Sequence, residues 1–124
     1  MLKHRPEPNV DHVVEITFNV DKIAADGTFS FEDVYNTVLN VYLKNRLGYY
    51  ITNDDRLVIH ENGRAADGAN MLFISNDLYE NRWFRDYVKS MLFYNFNKDY
   101  YEDIIETIRE YNNEIGKVYE EDQQ

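Results

Sequence analysis

Apolar residues at Tyr101, Ile104, Ile105, Ile108, Tyr111, Ile115, Val118 and Tyr119 draw one stripe along a helix of 3.6 residues per turn. No other feature restricts the fold of this chain as much. The spacing predicts a helix over residues 100–119 that packs this stripe against the rest of the molecule. On a second face Glu102, Glu106, Glu110 and Glu114 recur every four residues, with Asp103 beside the first and Glu120 and Glu121 beyond the end. Like charges at that spacing oppose a helix by roughly 0.2–0.5 kcal/mol per pair, and Arg109 and Lys117 relieve only part of it. A face that costs stability is a candidate partner surface, so these seven carboxylates are the expected binding residues.

Charge elsewhere sharpens that expectation. The 124-residue chain carries a net charge of -10, and its last 26 residues account for -7 of it. Nucleic acid and anionic membranes repel such a chain, so its partner should be a basic protein. No apolar run reaches the length of a signal core or membrane span, which predicts a soluble, cytoplasmic protein. Cysteine is absent, which excludes disulfides, thiolate metal sites and a thiol nucleophile. Eleven tyrosines and abundant asparagine, both with AT-rich codons, suit a low-GC bacterium or a phage or plasmid within one. Tyrosine also favours recognition surfaces.

Taken in order, residues 1–9 form a polar leader, residues 10–120 one domain, and residues 121–124 a frayed acidic end. Val14, Ile16, Phe18 and Val20 alternate with polar residues as in a half-buried strand. Ser30 and Asp33 resemble a capping box for a helix from about Phe31 to Leu47, with Gly48 at its left-handed C-cap. Three strand-like runs follow, Tyr49 to Thr52, Leu57 to His60 and Met71 to Ser75. A second helix is expected from Asp77 to about Phe96, apolar around much of its girth, and Asn97-Lys98-Asp99 then joins it to the last helix. The predicted order is β-α-β-β-β-α-α, an α+β domain with a small, mainly antiparallel sheet and helices on one face.

Other chemistry is thinly represented. Asp26-Gly27-Thr28-Phe29-Ser30-Phe31-Glu32-Asp33 resembles the second half of an EF-hand loop, but Lys22 and Ala24 stand where two ligands belong, so a glycine turn into a capped helix is the expected structure. His60 and Glu61 with Asp54 and Asp55 can be drawn as an acid–base or metal cluster, yet strand neighbours point to opposite faces. Arg82, Arg85 and Lys89 form a basic strip of ordinary helical pairs, and Trp83 is assigned to the core. No phosphate loop, dinucleotide fingerprint or nucleophile elbow is present, so no catalytic residue, metal or cofactor is expected. The loop from Glu61 to Asn70 is the second candidate site.

These readings converge on a non-enzymatic acidic protein that occludes a basic surface on a nucleic-acid-handling enzyme. Two settings share its size and charge. One is a phage or mobile-element inhibitor of a CRISPR or restriction nuclease, with carboxylates imitating nucleic-acid charge; the other is an immunity protein for a basic nuclease toxin. A small-ligand protein or enzyme built on the 61–70 loop is the competing class, and the assembly is expected to be a monomer or homodimer.

Overall fold

A computed structural model describes residues 10–123, so the polar leader lies outside the described residues. Five antiparallel strands form one sheet in the order β2-β3-β1-β4-β5. They are β1 (His12–Phe18), β2 (Gly48–Ile51), β3 (Leu57–His60), β4 (Val88–Asn95) and β5 (Tyr100–Asp103). Around them stand α1 (Val20–Asp26), α2 (Phe31–Leu43), α3 (Asp67–Tyr79), α4 (Arg82–Tyr87) and α5 (Ile104–Ile115), and a 3-10 turn follows at Glu120–Asp122. The α+β class and the antiparallel sheet follow the sequence expectation.

Alternation along the central strands sorts the core. Val14, Ile16 and Phe18 of β1 join Leu57 and Ile59 of β3 and Met91 and Phe93 of β4 in one apolar cluster, which receives Ile23, Val38, Met71, Phe84 and Ile104 from the five helices. The opposite face holds a smaller cluster of Val10, Val13, Val58 and Tyr94. A strand at the sheet centre thus meets apolar neighbours on both sides.

That geometry corrects the second predicted helix. Residues 88–95 are strand β4, paired with β1 from His12↔Asn95 to Phe18↔Val88. The girth-wide apolar character of this segment comes from two faces of a strand and not from a helix covered twice. The run Met71 to Ser75, expected as a strand, is the middle of α3, where Met71, Ile74, Ser75 and Leu78 fall on one buried helical face. Ser75 Oγ donates to Met71 O at 2.6 Å and lies 2.8 Å from the Tyr42 hydroxyl, joining α3 to α2 in the core.

Smaller corrections follow the turns. The α1 helix takes Val20 from the predicted first strand, is capped by Asn19 and ends at left-handed Gly27, while Asp26 pairs with Lys22 and accepts from the Tyr87 hydroxyl. The EF-hand-like segment is therefore a turn between two helices. The α2 helix starts at its expected Ser30 cap but stops at Leu43. Arg46, with φ 63, supplies the left-handed residue assigned to Gly48. Gly48 instead opens β2, where an added Cβ would stand 2.2 Å from the His60 ring.

Residues 119–122 are fastened to α4 and α5. Glu121 accepts from Arg85 Nε and, at 3.1 Å, from Arg85 Nη2, and Asp122 accepts from Arg109 at 2.9 Å. Arg85 also lies 4.0 Å from the centre of the Tyr119 ring. The two hydrogen bonds from Arg85, above all, draw the Glu121 carboxyl down from 4.5 to about 2. A depressed carboxylate stabilises the fold fully above its ordinary value and loses that contribution as pH falls toward the folded one. The wild type should therefore exceed Glu121→Gln in urea midpoint at pH 7, and the gap should close between pH 4.5 and about 2. A gap unchanged across that window would contradict the clamp.

Candidate acidic interface

The last helix is shorter than its apolar stripe suggested. Asp103 is its N-cap, its side chain accepting from Glu106 N at 3.1 Å, and left-handed Gly116 closes its end. Residues 100–103 belong to β5, paired with β4 from Asn95↔Tyr100 to Leu92↔Asp103. Glu102 therefore sits on a strand, and the helical part of the row is Glu106, Glu110 and Glu114. The predicted buried stripe is also partial. Ile104 and Tyr119 are buried and Ile105 and Ile108 partly so, but Tyr101, Tyr111, Ile115 and Val118 are more than half exposed.

With Ile104 and Asn112 turned inward, a rotation of 100° per residue directs Glu106, Glu110 and Glu114 away from the core. No ion pair joins these three to any described residue. Other carboxylates are engaged: Glu15 with Arg56, Asp67 with Arg64, Glu80 with Lys117. Glu102, Asp103, Glu106 and Glu110 border one shallow cleft together with Tyr100 and Tyr101. The Tyr100 hydroxyl donates to Glu102 at 3.1 Å, and the neighbouring charge raises its pKa.

On the other flank of α5 an open cleft of about 430 Å³ runs against α3, lined by Leu72, Ile104, Ile108, Tyr111 and Ile115. The surface is thus an acidic ridge between exposed tyrosines and an apolar groove. Phe73 is also strongly exposed; the strand assignment of residues 71–75 concealed it, although helical spacing from Met71 to Leu78 was there to be read.

Two of the seven predicted residues stand apart. Glu120 pairs with Arg82 at 3.2 Å, and Glu121 is held by Arg85, whose side chain is only 7% exposed. Both serve the C-terminal clamp. The basic strip on the predicted second helix is divided accordingly: Arg82 and Arg85 lie on α4 and hold the tail, whereas Lys89 is on β4. Trp83 is partly buried and packs against the main core, edge to face with Phe84.

The second candidate site is a loop only as far as Ala66, where α3 takes over, and its two carboxylates are engaged within the fold. Asp67 is completely buried and accepts from Asn62 N at 2.7 Å, Arg64 N at 3.3 Å and Arg64 Nε at 3.1 Å. Burial alone would raise its carboxyl, but these bonds and the Arg64 charge hold it below its ordinary value. Arg64 in turn donates to the carbonyls of Asn45 and Arg46. Glu61 receives the amides of Asp11 and His12 and stands 2.9 Å from His12 Nδ1. His60 Nδ1 lies 2.7 Å from the Glu61 carbonyl oxygen, its ring packs beside Tyr50, and Asp54 accepts from Thr52 and Arg56. The His60, Glu61, Asp54 and Asp55 grouping does not converge. Among the described residues no group of three or more His, Cys, Asp or Glu is placed to hold a metal ion, and no helix is long and apolar enough to cross a membrane.

Comparison with protein-family models, curated proteins and solved structures yields no match.

Proposed function

We propose that this chain is a non-enzymatic binding protein whose acidic α5 face occupies a basic surface on a nucleic-acid-handling protein. The observation that carries this reading is the ridge of Glu106, Glu110 and Glu114, held outward without internal cations in a chain that pairs many of its other carboxylates. Glu102 and Asp103 extend the ridge across the strand–helix junction. Tyr100, Tyr101 and Tyr111 flank it with rings that contribute contact area at low entropic cost. Long-range attraction accelerates encounter with a basic groove, and local charge pairing selects it.

Imitation of nucleic acid on this reading is one of charge more than of spacing. Successive glutamates on the helix are about 6 Å apart along the axis, whereas one DNA strand presents a phosphate about every 3.4 Å. The setting that fits is inhibition of a CRISPR or restriction nuclease by a protein from a phage or mobile element, acting in the cytoplasm. Competition tests the reading. Duplex DNA added to the complex should displace the partner, because both ligands claim one basic surface. Partner retention in saturating DNA would contradict it.

Stability gives the same ridge a second, independent signature. Removing the repulsion between Glu106, Glu110 and Glu114 should raise helix stability by about 0.2–0.5 kcal/mol per pair. The triple variant E106Q/E110Q/E114Q is therefore expected to melt at or above the wild-type temperature while losing its partner. A melting temperature well below wild type would show instead that the row supports the fold.

A further inference from the structure

The sheet ends at β2, and no described strand pairs with its outer edge. Pairing with β3 fixes which groups face outward. Thr52 N donates to Arg56 O at 3.0 Å, so by alternation Tyr50↔Val58 and Gly48↔His60 are the hydrogen-bonded pairs of this ladder. Tyr49 and Ile51 consequently direct their N–H and C=O groups away from β3. Edges are commonly blunted by lysine, proline or a bulge. The β2 sequence Gly48-Tyr49-Tyr50-Ile51 has none of these, and Tyr49 and Ile51 are 44% and 51% exposed.

Beside this edge, against α2, lies a cleft of about 430 Å³ lined by Phe31, Glu32, Tyr35, Asn36, Ile51 and Asp55. Tyr35 is 8% exposed and its hydroxyl is buried with no hydrogen-bond partner. Leaving such a group unsatisfied is costly, so it is a donor waiting for an acceptor. Burial, with Tyr49 and Asp55 nearby, pushes its pKa up to about 12, so it keeps its proton at neutral pH. Glu32 and Asp55 make no ion pair with any described residue.

We infer that the outer edge of β2 and its cleft take an extended segment of a basic polypeptide as an additional strand. Main-chain bonds to Tyr49 and Ile51 would hold the segment. Its residues opposite these two would lie on the α2 face and drop apolar side chains over Phe31 and Tyr35. Flanking lysine or arginine would reach Glu32 and Asp55, and an acceptor on the segment would satisfy the Tyr35 hydroxyl. Charge favours this occupant over a second copy, which would bring acidic rims together on molecules of net charge -10. The surface is separate from the α5 ridge and does not depend on its role.

The test uses a capped heptapeptide of sequence KTVTVTK, whose valines and flanking lysines share one face of an extended strand, and the same peptide N-methylated at alternate residues on its hydrogen-bonding edge. The full chain is followed by amide hydrogen exchange. The unmodified peptide should protect the Tyr49 and Ile51 amides at least tenfold, with E106Q/E110Q/E114Q behaving as wild type. The methylated peptide should not protect them, and E32Q/D55N should weaken binding about tenfold with an unchanged melting temperature. No protection at millimolar peptide, equal protection by the methylated form, or protection confined to α5 would overturn the inference. Protection of Tyr49 and Ile51 that grows with protein concentration in the absence of peptide would assign the edge to a second copy instead.

Discussion

Replacing Asp67 with alanine is expected to lower the unfolding free energy by about 2–3 kcal/mol, the cost of leaving several buried donors without an acceptor. Asp67 has no exposed surface, and it gathers the amides of Asn62 and Arg64 together with the Arg64 side chain. Through Arg64 it also fixes the carbonyls of Asn45 and Arg46, where the chain turns from α2 into β2. One carboxylate therefore ties the 61–66 link to the turn at Asn45 and Arg46. Asparagine at this position keeps one acceptor but sets an amide N–H against other donors, so it should recover less than half of the loss. Urea denaturation with an unchanged slope measures the effect. A loss below about 1 kcal/mol would place Asp67 among ordinary single hydrogen bonds.

A comparable loss, about 3 kcal/mol, is expected for Arg85→Ala, because removing one partner of a mostly buried ion pair leaves the other uncompensated. Arg85 donates two bonds to Glu121 and one, at 2.8 Å, to Tyr79 O, and its guanidinium covers the Tyr119 ring. Tyr119 in turn accepts from Asn112 of α5 at 2.8 Å. The C-terminal segment, α4 and α5 thus share one fastening. Lysine cannot reproduce the paired donors or the planar stacking, so Arg85→Lys should recover little. Amide exchange near Tyr119 should quicken more than exchange in β1. Uniform acceleration over both would show that the clamp is part of the global unfolding unit and not a local latch.

Both predictions concern residues whose roles the sequence did not announce. Local signals were legible where one rule acted alone: the alternation from Val14 to Phe18, the run Leu57 to His60 and the Ser30 cap stand as expected, whereas Val20, read as the end of that alternation, opens α1. They failed where a segment satisfied two periods. Phe84, Val88, Met91 and Leu92 fit a helical stripe, but from Val88 onward pairing with β1 decides the matter, and that pairing joins residues seventy or more positions apart. Tertiary contacts override propensity in such segments. The start of α5 was readable and missed, since Asp103 followed three residues later by Glu106 is an N-cap signature that separates Glu102 from the helical row. The engagement of Glu121 by Arg85 was not readable, because ion pairs across 36 residues leave no local pattern.

The candidate interface emerges smaller and more varied than a plain acidic helix. Its ridge of three helical glutamates keeps company with exposed tyrosines and an apolar groove, the mixture of charged and aromatic surface from which hot spots are commonly drawn. The measurement that bears most directly on it is parallel affinity capture from a low-GC bacterial lysate at moderate salt, with wild type and E106Q/E110Q/E114Q as baits. The account predicts that a basic nucleic-acid enzyme is retained by the wild type alone and is released by duplex DNA. Equal retention by both baits, or capture of no basic partner by the wild type, would contradict it.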